Sequence, residues 1–167
     1  MSSVNYDPVK AHEYYERTKQ LKGRHSTKGM SDTQKEQWAY AKDQLKEEHK
    51  DINSQISEEK KEQLAAISEN VQSQKEQLSE KAKDQIDNLR EKLKSMPKEQ
   101  KKEMRAKIQE AIGKIKSDLK TAKNEVASTG AGAKELTRAT AAGAKEQEAQ
   151  NYEKRKDEAY ARIKGGK

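Results

Sequence analysis

The segment from Asp32 to Ser95 contains neither proline nor glycine, and its apolar residues recur every eleven positions. Eleven residues over three turns is about 3.67 residues per turn, so the pattern predicts an apolar stripe along a nearly straight or slightly right-handed pair of helices. We therefore expect one long helix that needs a partner. The main track consists of Leu45, Ile56, Ile67, Leu78 and Leu89.

Two companion tracks share this period but are less apolar. Glutamines at positions 63, 74 and 85 occupy a track where Ile52 and Met96 are apolar. Polar residues in the stripe indicate a helix that is dynamic or dependent on a partner. The companion tracks are Trp38, His49, Lys60, Val71, Ala82 and Leu93, and Asn53, Leu64, Lys75 and Ile86.

The composition argues against a thick globular core. Leu, Ile, Val and Phe together number 20 of 167 residues, whereas Ala, Glu, Lys, Leu and Arg number 84, a bias typical of coiled coils and long helices. The absence of cysteine excludes disulfides and thiolate metal sites. A net charge of +7 favours an acidic partner. No apolar run reaches the ~20 residues of a membrane span, so a soluble cytoplasmic protein is expected.

The N-terminal region, residues 1–31, is predicted to be a docking element. Asp7 is a suitable N-cap and Pro8 a suitable first residue for a short amphipathic helix over residues 8–22, and residues 23–31 form a loop. A basic cluster beside two tyrosines could contact phosphates or an acidic protein surface, although it could also be a solvated loop. The candidate residues are Tyr14, Tyr15, Arg17, Lys19, Lys22, Arg24 and Lys28.

A second helix is expected after Ser95-Met96-Pro97, because proline disfavours a helical residue before it. In residues 98–126 the apolar residues alternate steps of four and three, a heptad-type pattern. The short connection makes the two helices antiparallel neighbours, with the return helix pairing with Leu78 to Leu93. The expected seam residues of the return helix are Ile108, Ile112, Ile115 and Leu119, followed by Ala122 and Val126.

The C-terminal forty residues offer little to pack. Residues 128–144 are small and glycine-containing, which predicts a linker or a helix that forms only in context. Residues 145–167 are expected to hold a weak helix. The predicted fold is all-α: an elongated long helix plus an antiparallel, coiled-coil-like helical hairpin over residues 32–127, with a flexible C-terminal region.

This arrangement would leave the first half of the long helix, from Trp38 to Ile67, without an intramolecular partner. Self-association as a dimer or higher oligomer is therefore expected there. The predicted pairing seam of the long helix consists of Trp38, Leu45, Ile52, Ile56, Leu64, Ile67, Val71, Leu78, Leu89 and Leu93.

No residue set predicts catalysis, a metal or a cofactor. The histidines His12, His25 and His49 are dispersed, whereas a metal site needs converging ligands, so surface histidines are expected. Carboxylates alternate with lysines, as in residues 58–62, which indicates solvated helix faces with i,i+4 pairing. The order Ser-Thr-Lys-Gly at residues 26–29 does not match a phosphate-binding loop.

Two runs near the N-terminus are distinctive: YDPVKAHEYYERTKQLKGR at residues 6–24 and STKGMSDTQKEQWAYAKDQLKEEHK at residues 26–50. Together they resemble a family of small, lysine- and glutamate-rich helical proteins of tailed bacteriophages. The resemblance implies a non-enzymatic part in virion assembly, as a head scaffold or head-associated protein that docks on capsid or portal. It implies a location in the host cytoplasm during assembly or in the virion, and supplies no catalytic residues.

Two alternatives are open. The first is a basic accessory protein that binds nucleic acid through the loop from Arg17 to Lys28 and the helix from Lys98 to Lys123. The second follows from the eleven-residue period together with many Lys and Glu residues and no Cys, which resembles late-embryogenesis-abundant proteins. Tyr14, Tyr15 and Trp38 argue against that resemblance, because the repeats of that family are poor in such residues.

Overall fold

The computed structural model describes residues 24–166. These residues form two long α-helices, α1 over Asp32–Lys94 and α2 over Lys98–Gly165, which pack against each other. The predicted all-α helical hairpin is confirmed for this part of the chain. The predicted short helix at residues 8–22 lies outside the described residues.

Helix α1 begins at a capping box. The Ser31 hydroxyl accepts a hydrogen bond from the Gln34 amide N–H at 3.1 Å, and the Gln34 side chain accepts one from the Ser31 amide at 2.9 Å. These two bonds satisfy donors that a helix start leaves without intrahelical partners. The Gln34 amide group also donates to the carbonyls of Ile163 and Gly166, and so ties the start of α1 to the end of α2.

The connection between the helices is three residues long. The Ser95 hydroxyl donates to the carbonyls of Glu91 and Lys92, which closes the last turn of α1. Pro97 has no N–H to satisfy, and its carbonyl accepts the first hydrogen bond of α2 from Lys101 at 3.0 Å. The break predicted at Ser95-Met96-Pro97 is therefore present.

The buried side of α1 follows the predicted eleven-residue period. All five residues of the main track are half-buried, and so are Lys60 and Lys75 of the companion tracks, whereas Gln63, Gln74 and Gln85 are exposed. The lysines can occupy these positions because their aliphatic stems cover apolar surface while their ammonium groups reach water. One period after Ile52, the half-buried residue is Leu64 and not Gln63. The stripe thus moves by one residue along the helix, and the glutamines stay exposed.

Helix α2 continues without a break through residues 128–144. The prediction of a linker there is wrong, and the alternative of a helix formed in context describes the structure. Small side chains allow close packing: Gly130 is buried against Val71, and Ala141 is buried. The hydroxyls of Thr137 and Thr140 donate to carbonyls four residues earlier, which satisfies these groups inside the helix.

The continuation of α2 also corrects two further expectations. The C-terminal region, predicted to be flexible, is helical to Gly165, and its Ala159 is buried. The stretch from Trp38 to Ile67, predicted to lack an intramolecular partner, carries the most buried side chain among the described residues, Trp38 at 1% exposure. Residues 127–165 supply the covering surface that a return helix ending at residue 126 could not reach.

The described residues divide into two compact units. One contains the residues up to Asn53 together with those from Glu146 onward, and the other is Ser54–Lys145. The first unit is centred on Trp38 and Ala159, and the second buries Ala82, Ile86 and Ile108. Both cores are one layer of side chains thick, as expected for a chain with so few large apolar residues.

Candidate functional site

An aromatic cluster closes the first unit. The rings of His25, Trp38 and Tyr160 pack against one another with centroid separations of 5.0–5.2 Å, and the Trp38–Tyr160 pair is edge to face. Edge-to-face pairs place the positive ring edge against the negative ring face, which adds to the free energy gained by burial. The cluster therefore fastens the loop before α1 onto the last turns of α2.

The basic loop is held by an acid from α2. The Asp157 carboxylate lies 3.2 Å from the Arg24 guanidinium and 2.6 Å from Nε2 of His25, and the Tyr160 hydroxyl donates to the carbonyl of Ser26. Of the predicted docking residues that the structure describes, Arg24 is thus ion-paired within the chain, and only Lys28 is exposed without such a partner in residues 24–166. Tyr14, Tyr15, Arg17, Lys19 and Lys22 lie outside the described residues.

A second polar cluster surrounds Glu148, which is only 5% exposed. Its carboxylate accepts hydrogen bonds from the Arg155 guanidinium, and Nδ1 of His49 lies 3.2 Å from it. The His49 ring stacks on Tyr152 with centroids 4.2 Å apart, and Nε2 of His49 lies 3.2 Å from the Asn53 amide nitrogen. The partners around this acid thus come from both helices.

The electrostatics of Glu148 favour a structural role. The hydrogen bond from Arg155 lowers the pKa of the Glu148 carboxyl below its ordinary value of 4.5, against the opposing effect of burial, and the hydrogen bond from His49 lowers it further. The same ion pair raises the pKa of the Arg155 guanidinium. A carboxylate whose pKa is lowered binds protons weakly, whereas a general acid or base needs a pKa near the working pH. Glu148 is therefore an anchor for Arg155 and His49.

The hairpin turn carries a concentration of positive charge. The segment 81–123 contains fourteen Lys and Arg residues against seven Asp and Glu, which accounts for the whole net charge of +7. The remainder of the chain is balanced, with twenty-two residues of each sign. This segment lies within the unit Ser54–Lys145, and it is the surface of that unit best suited to bind an anionic partner.

The predicted seam residues all lie on the packed sides of the two helices. Trp38 and Ile108 are buried, and the other twelve are half-buried. Half-burial along the whole seam is consistent with a single layer of contact between α1 and α2. The half-buried residues are Leu45, Ile52, Ile56, Leu64, Ile67, Val71, Leu78, Leu89, Leu93, Ile112, Ile115 and Leu119.

Sequence reasoning missed the contribution of α2 after residue 145. His25 and His49, expected at the surface, are half-buried ring partners, and Glu148 is a buried acid. A signal for the register was present, because one track of buried and half-buried residues in α2 has a spacing of eleven. That track is Ile108, Leu119, Gly130, Ala141, Tyr152 and Ile163.

Comparison with known protein families, curated proteins and solved structures found no match for this chain. Neither α1 nor α2 contains a stretch long and apolar enough to cross a membrane. Within residues 24–166, no three or more His, Cys, Asp or Glu side chains are grouped as metal ligands. The candidate site is the basic surface at the hairpin turn, residues 81–123, and it rests on the charge of its own residues.

Proposed function

We propose that this chain is a non-enzymatic structural or assembly protein of a tailed bacteriophage. It acts as a head scaffolding or head-associated virion protein and docks on capsid or portal protein through the basic surface of residues 81–123. It works as a soluble protein in the host cytoplasm during assembly, or within the virion.

The observation that carries this proposal is the segregation of charge along the hairpin. The segment around the turn carries a net charge of +7, equal to that of the whole chain, while the charges of all other residues sum to zero. A single-sign surface attracts partners of opposite sign and raises their rate of association. An acidic patch on a capsid or portal subunit would meet this requirement.

The resemblance of residues 6–24 and 26–50 to phage virion-assembly proteins supports the same proposal. The exposed, charged faces of the two helices support it as well, because they suit docking on another surface. The experiment is cosedimentation of the full chain with the capsid and portal proteins encoded in the same genome. We expect one of them to carry the chain into the pellet at low salt and to release it as salt rises. Absence of the chain from both pellets at low salt, with its helical circular dichroism intact, would contradict the proposal.

The second candidate function is nucleic-acid binding, favoured by the same fourteen basic residues. Phosphate contacts by Lys and Arg make affinity fall steeply with salt. The segment 81–123 contains no aromatic residue, so base stacking would contribute nothing there. Filter retention of duplex DNA by the full chain, repeated over a range of salt concentrations, distinguishes this candidate from protein docking.

Self-association stays a prediction, but an uncovered Trp38 face no longer supports it. Helix α2 of the same chain covers Trp38, which had been expected to need a second chain. Among the described residues, the large apolar side chains left exposed for a homodimer are Tyr40 and Leu136, at 67% and 69%. Sedimentation equilibrium of the full chain measures this directly.

A further inference from the structure

A groove runs between the two helices beside the hairpin turn, within the unit Ser54–Lys145. Its volume is about 400 Å³. Apolar side chains form its floor, and long cationic side chains form its rim. The floor residues are Leu93, Ile108 and Ile112, and the rim residues are Arg90, Arg105 and Lys116.

The chain itself buries much of the apolar floor, but it does not neutralise the charge of the rim. Ile108 is 6% exposed, whereas Leu93 and Ile112 are half-buried. Arg90, Arg105 and Lys116 are exposed, and none of them lies within ion-pair distance of a carboxylate in residues 24–166. Arg24 and Arg155, in the other unit, are both ion-paired. The rim thus offers positive charge that this part of the chain leaves uncompensated.

Gly113 lies on the same groove, in the interior of α2. Glycine inside a helix is destabilising relative to alanine, because it loses more backbone freedom on folding. No atom of the described chain lies within 4 Å of the position that a Cβ of residue 113 would take. The packing of the hairpin therefore does not require glycine here. Gly132 and Gly143 of α2 are equally open, and Gly113 differs from them in lying on the groove, where it leaves room for the backbone of a partner.

We infer that this groove binds an acidic amphipathic helix of a partner protein. Such a helix would place apolar side chains on Leu93 and Ile112 and carboxylates against Arg90, Arg105 and Lys116, while its backbone passes over Gly113. This is the helix-in-groove mode of recognition, with charge complementarity to select the partner. The inference rests on the proposed docking function and names the chemistry of the partner.

Other occupants use only part of the groove. Duplex DNA would engage the cations but would leave the apolar floor uncovered, and a membrane surface cannot follow a concave floor. A second copy of this segment would bring seven excess positive charges against the same seven. The acidic helix uses the floor, the rim and Gly113 together.

The test uses the full chain and a fluorescein-labelled synthetic peptide of about three heptads, with leucine at the core positions and glutamate at the surface positions. The control peptide carries lysine in place of glutamate. Fluorescence anisotropy is expected to show saturable binding of the glutamate peptide, weakened by salt, and none of the lysine peptide. Equal binding of both peptides, or of neither, would overturn the inference.

Two pairs of variants locate the binding. The double change Arg90→Glu and Arg105→Glu is expected to weaken binding of the glutamate peptide about tenfold or more, a difference of about 1.4 kcal/mol. The matched control is Lys46→Glu with Lys50→Glu, two exposed lysines of α1 outside the groove, and it should leave binding unchanged. An equal loss of peptide binding in both double variants would show a diffuse charge effect and would contradict binding in the groove.

Gly113→Ala separates binding from folding. This change should raise the Tm, because alanine favours the helix, and it should weaken binding of the glutamate peptide. Gly132→Ala, where an added Cβ also meets no atom within 4 Å, should raise the Tm and leave peptide binding unchanged. Unchanged peptide binding by Gly113→Ala would contradict the close approach.

Two outcomes separate the inference from other readings. Retention of the chain by capsid or portal protein, with no binding of the glutamate peptide, would leave the proposed function standing and overturn this inference alone. Displacement of bound peptide by duplex DNA, with tighter binding of the DNA, would assign the groove to nucleic acid and overturn the inference as well.

Discussion

The indole of Trp38 and the phenol ring of Tyr160 pack edge to face, with ring centroids 5.2 Å apart. Trp38 lies in the second turn of α1, and Tyr160 lies near the end of α2. The contact therefore closes the hairpin at its open end within a single chain. His25 packs against both rings, so the loop before α1 is part of the same closure.

Trp38→Ala is expected to lower the free energy of unfolding by about 3–5 kcal/mol, because it removes the largest fully buried side chain of this unit and leaves a cavity. Urea unfolding followed by circular dichroism measures the change. Tyr40→Ala is the matched control: Tyr40 is 67% exposed on the same helix, and its loss should change stability by less than about 0.5 kcal/mol. Equal effects of the two changes would contradict the burial of Trp38.

Gly130→Ala is expected to destabilise the hairpin, although alanine is the better helix former. A Cβ at residue 130 would overlap Cγ2 of Val71, and a β-branched side chain in a helix has little freedom to rotate away. Gly132→Ala, with open space around it, should stabilise by up to about 1 kcal/mol. Thermal unfolding should give a lower Tm than wild type for Gly130→Ala and a higher Tm for Gly132→Ala.

A second-site change tests the cause of that destabilisation. Val71→Ala combined with Gly130→Ala should recover stability relative to Gly130→Ala alone, because the added methyl group then has room. Independent, additive effects of the two substitutions would mean that the side chains do not meet.

Lowering the pH should weaken the first unit through Glu148. Its pKa in the folded protein lies below the ordinary value of 4.5, chiefly because of the hydrogen bond from Arg155. A carboxyl with a lowered folded-state pKa stabilises the fold at pH values above its unfolded pKa, and this contribution is lost as the pH falls through the folded pKa. Glu148→Gln is therefore expected to cost about 1–3 kcal/mol near neutral pH and progressively less in acid.

Urea unfolding of wild type and Glu148→Gln at about pH 7 and about pH 3 checks this dependence. The control is Glu69→Gln, an exposed glutamate of α1, which should differ little from wild type at either pH. A stability difference for Glu148→Gln that is the same in acid and at neutral pH would contradict the assigned ion pair.

The first helix could be predicted from the sequence because its period is regular and its ends carry local signals. Ser31 and Gln34 form a capping box that is readable within four residues, and Pro97 marks the break. The main track of α1 lies on the packed side as expected. Local backbone chemistry and periodicity decide these features, so a single sequence is sufficient for them.

The second half of α2 could not be predicted in the same way. Residues 128–144 lack large apolar side chains, and small residues are equally typical of linkers. The heptad pattern of residues 108–126, continued, would have buried Leu136, whereas Leu136 is 69% exposed and Thr137 is half-buried. Helix α2 follows the eleven-residue period instead, and the partner surface on α1 selects this register.

The polar contacts of the first unit are separated too far in sequence for local reasoning. His49 and Glu148 are 99 residues apart, and His25 and Asp157 are 132 apart. The sequence around His25 and around Glu148 does not mark either residue as a partner of a distant one, since lysines and glutamates are common throughout both helices. The continuation of α2 brings the members of each pair together. The prediction of a linker at residues 128–144 therefore left these contacts unpredicted as well.

The concentration dependence of Trp38 burial tests the central claim most directly. Trp38 is the only tryptophan, so its emission reports its burial without interference. If α2 of the same chain covers it, the emission maximum and the urea midpoint measured by fluorescence should be the same across about a thousandfold range of protein concentration. A red shift of the emission and a falling midpoint on dilution would mean that a second chain covers Trp38, and would contradict the closed hairpin.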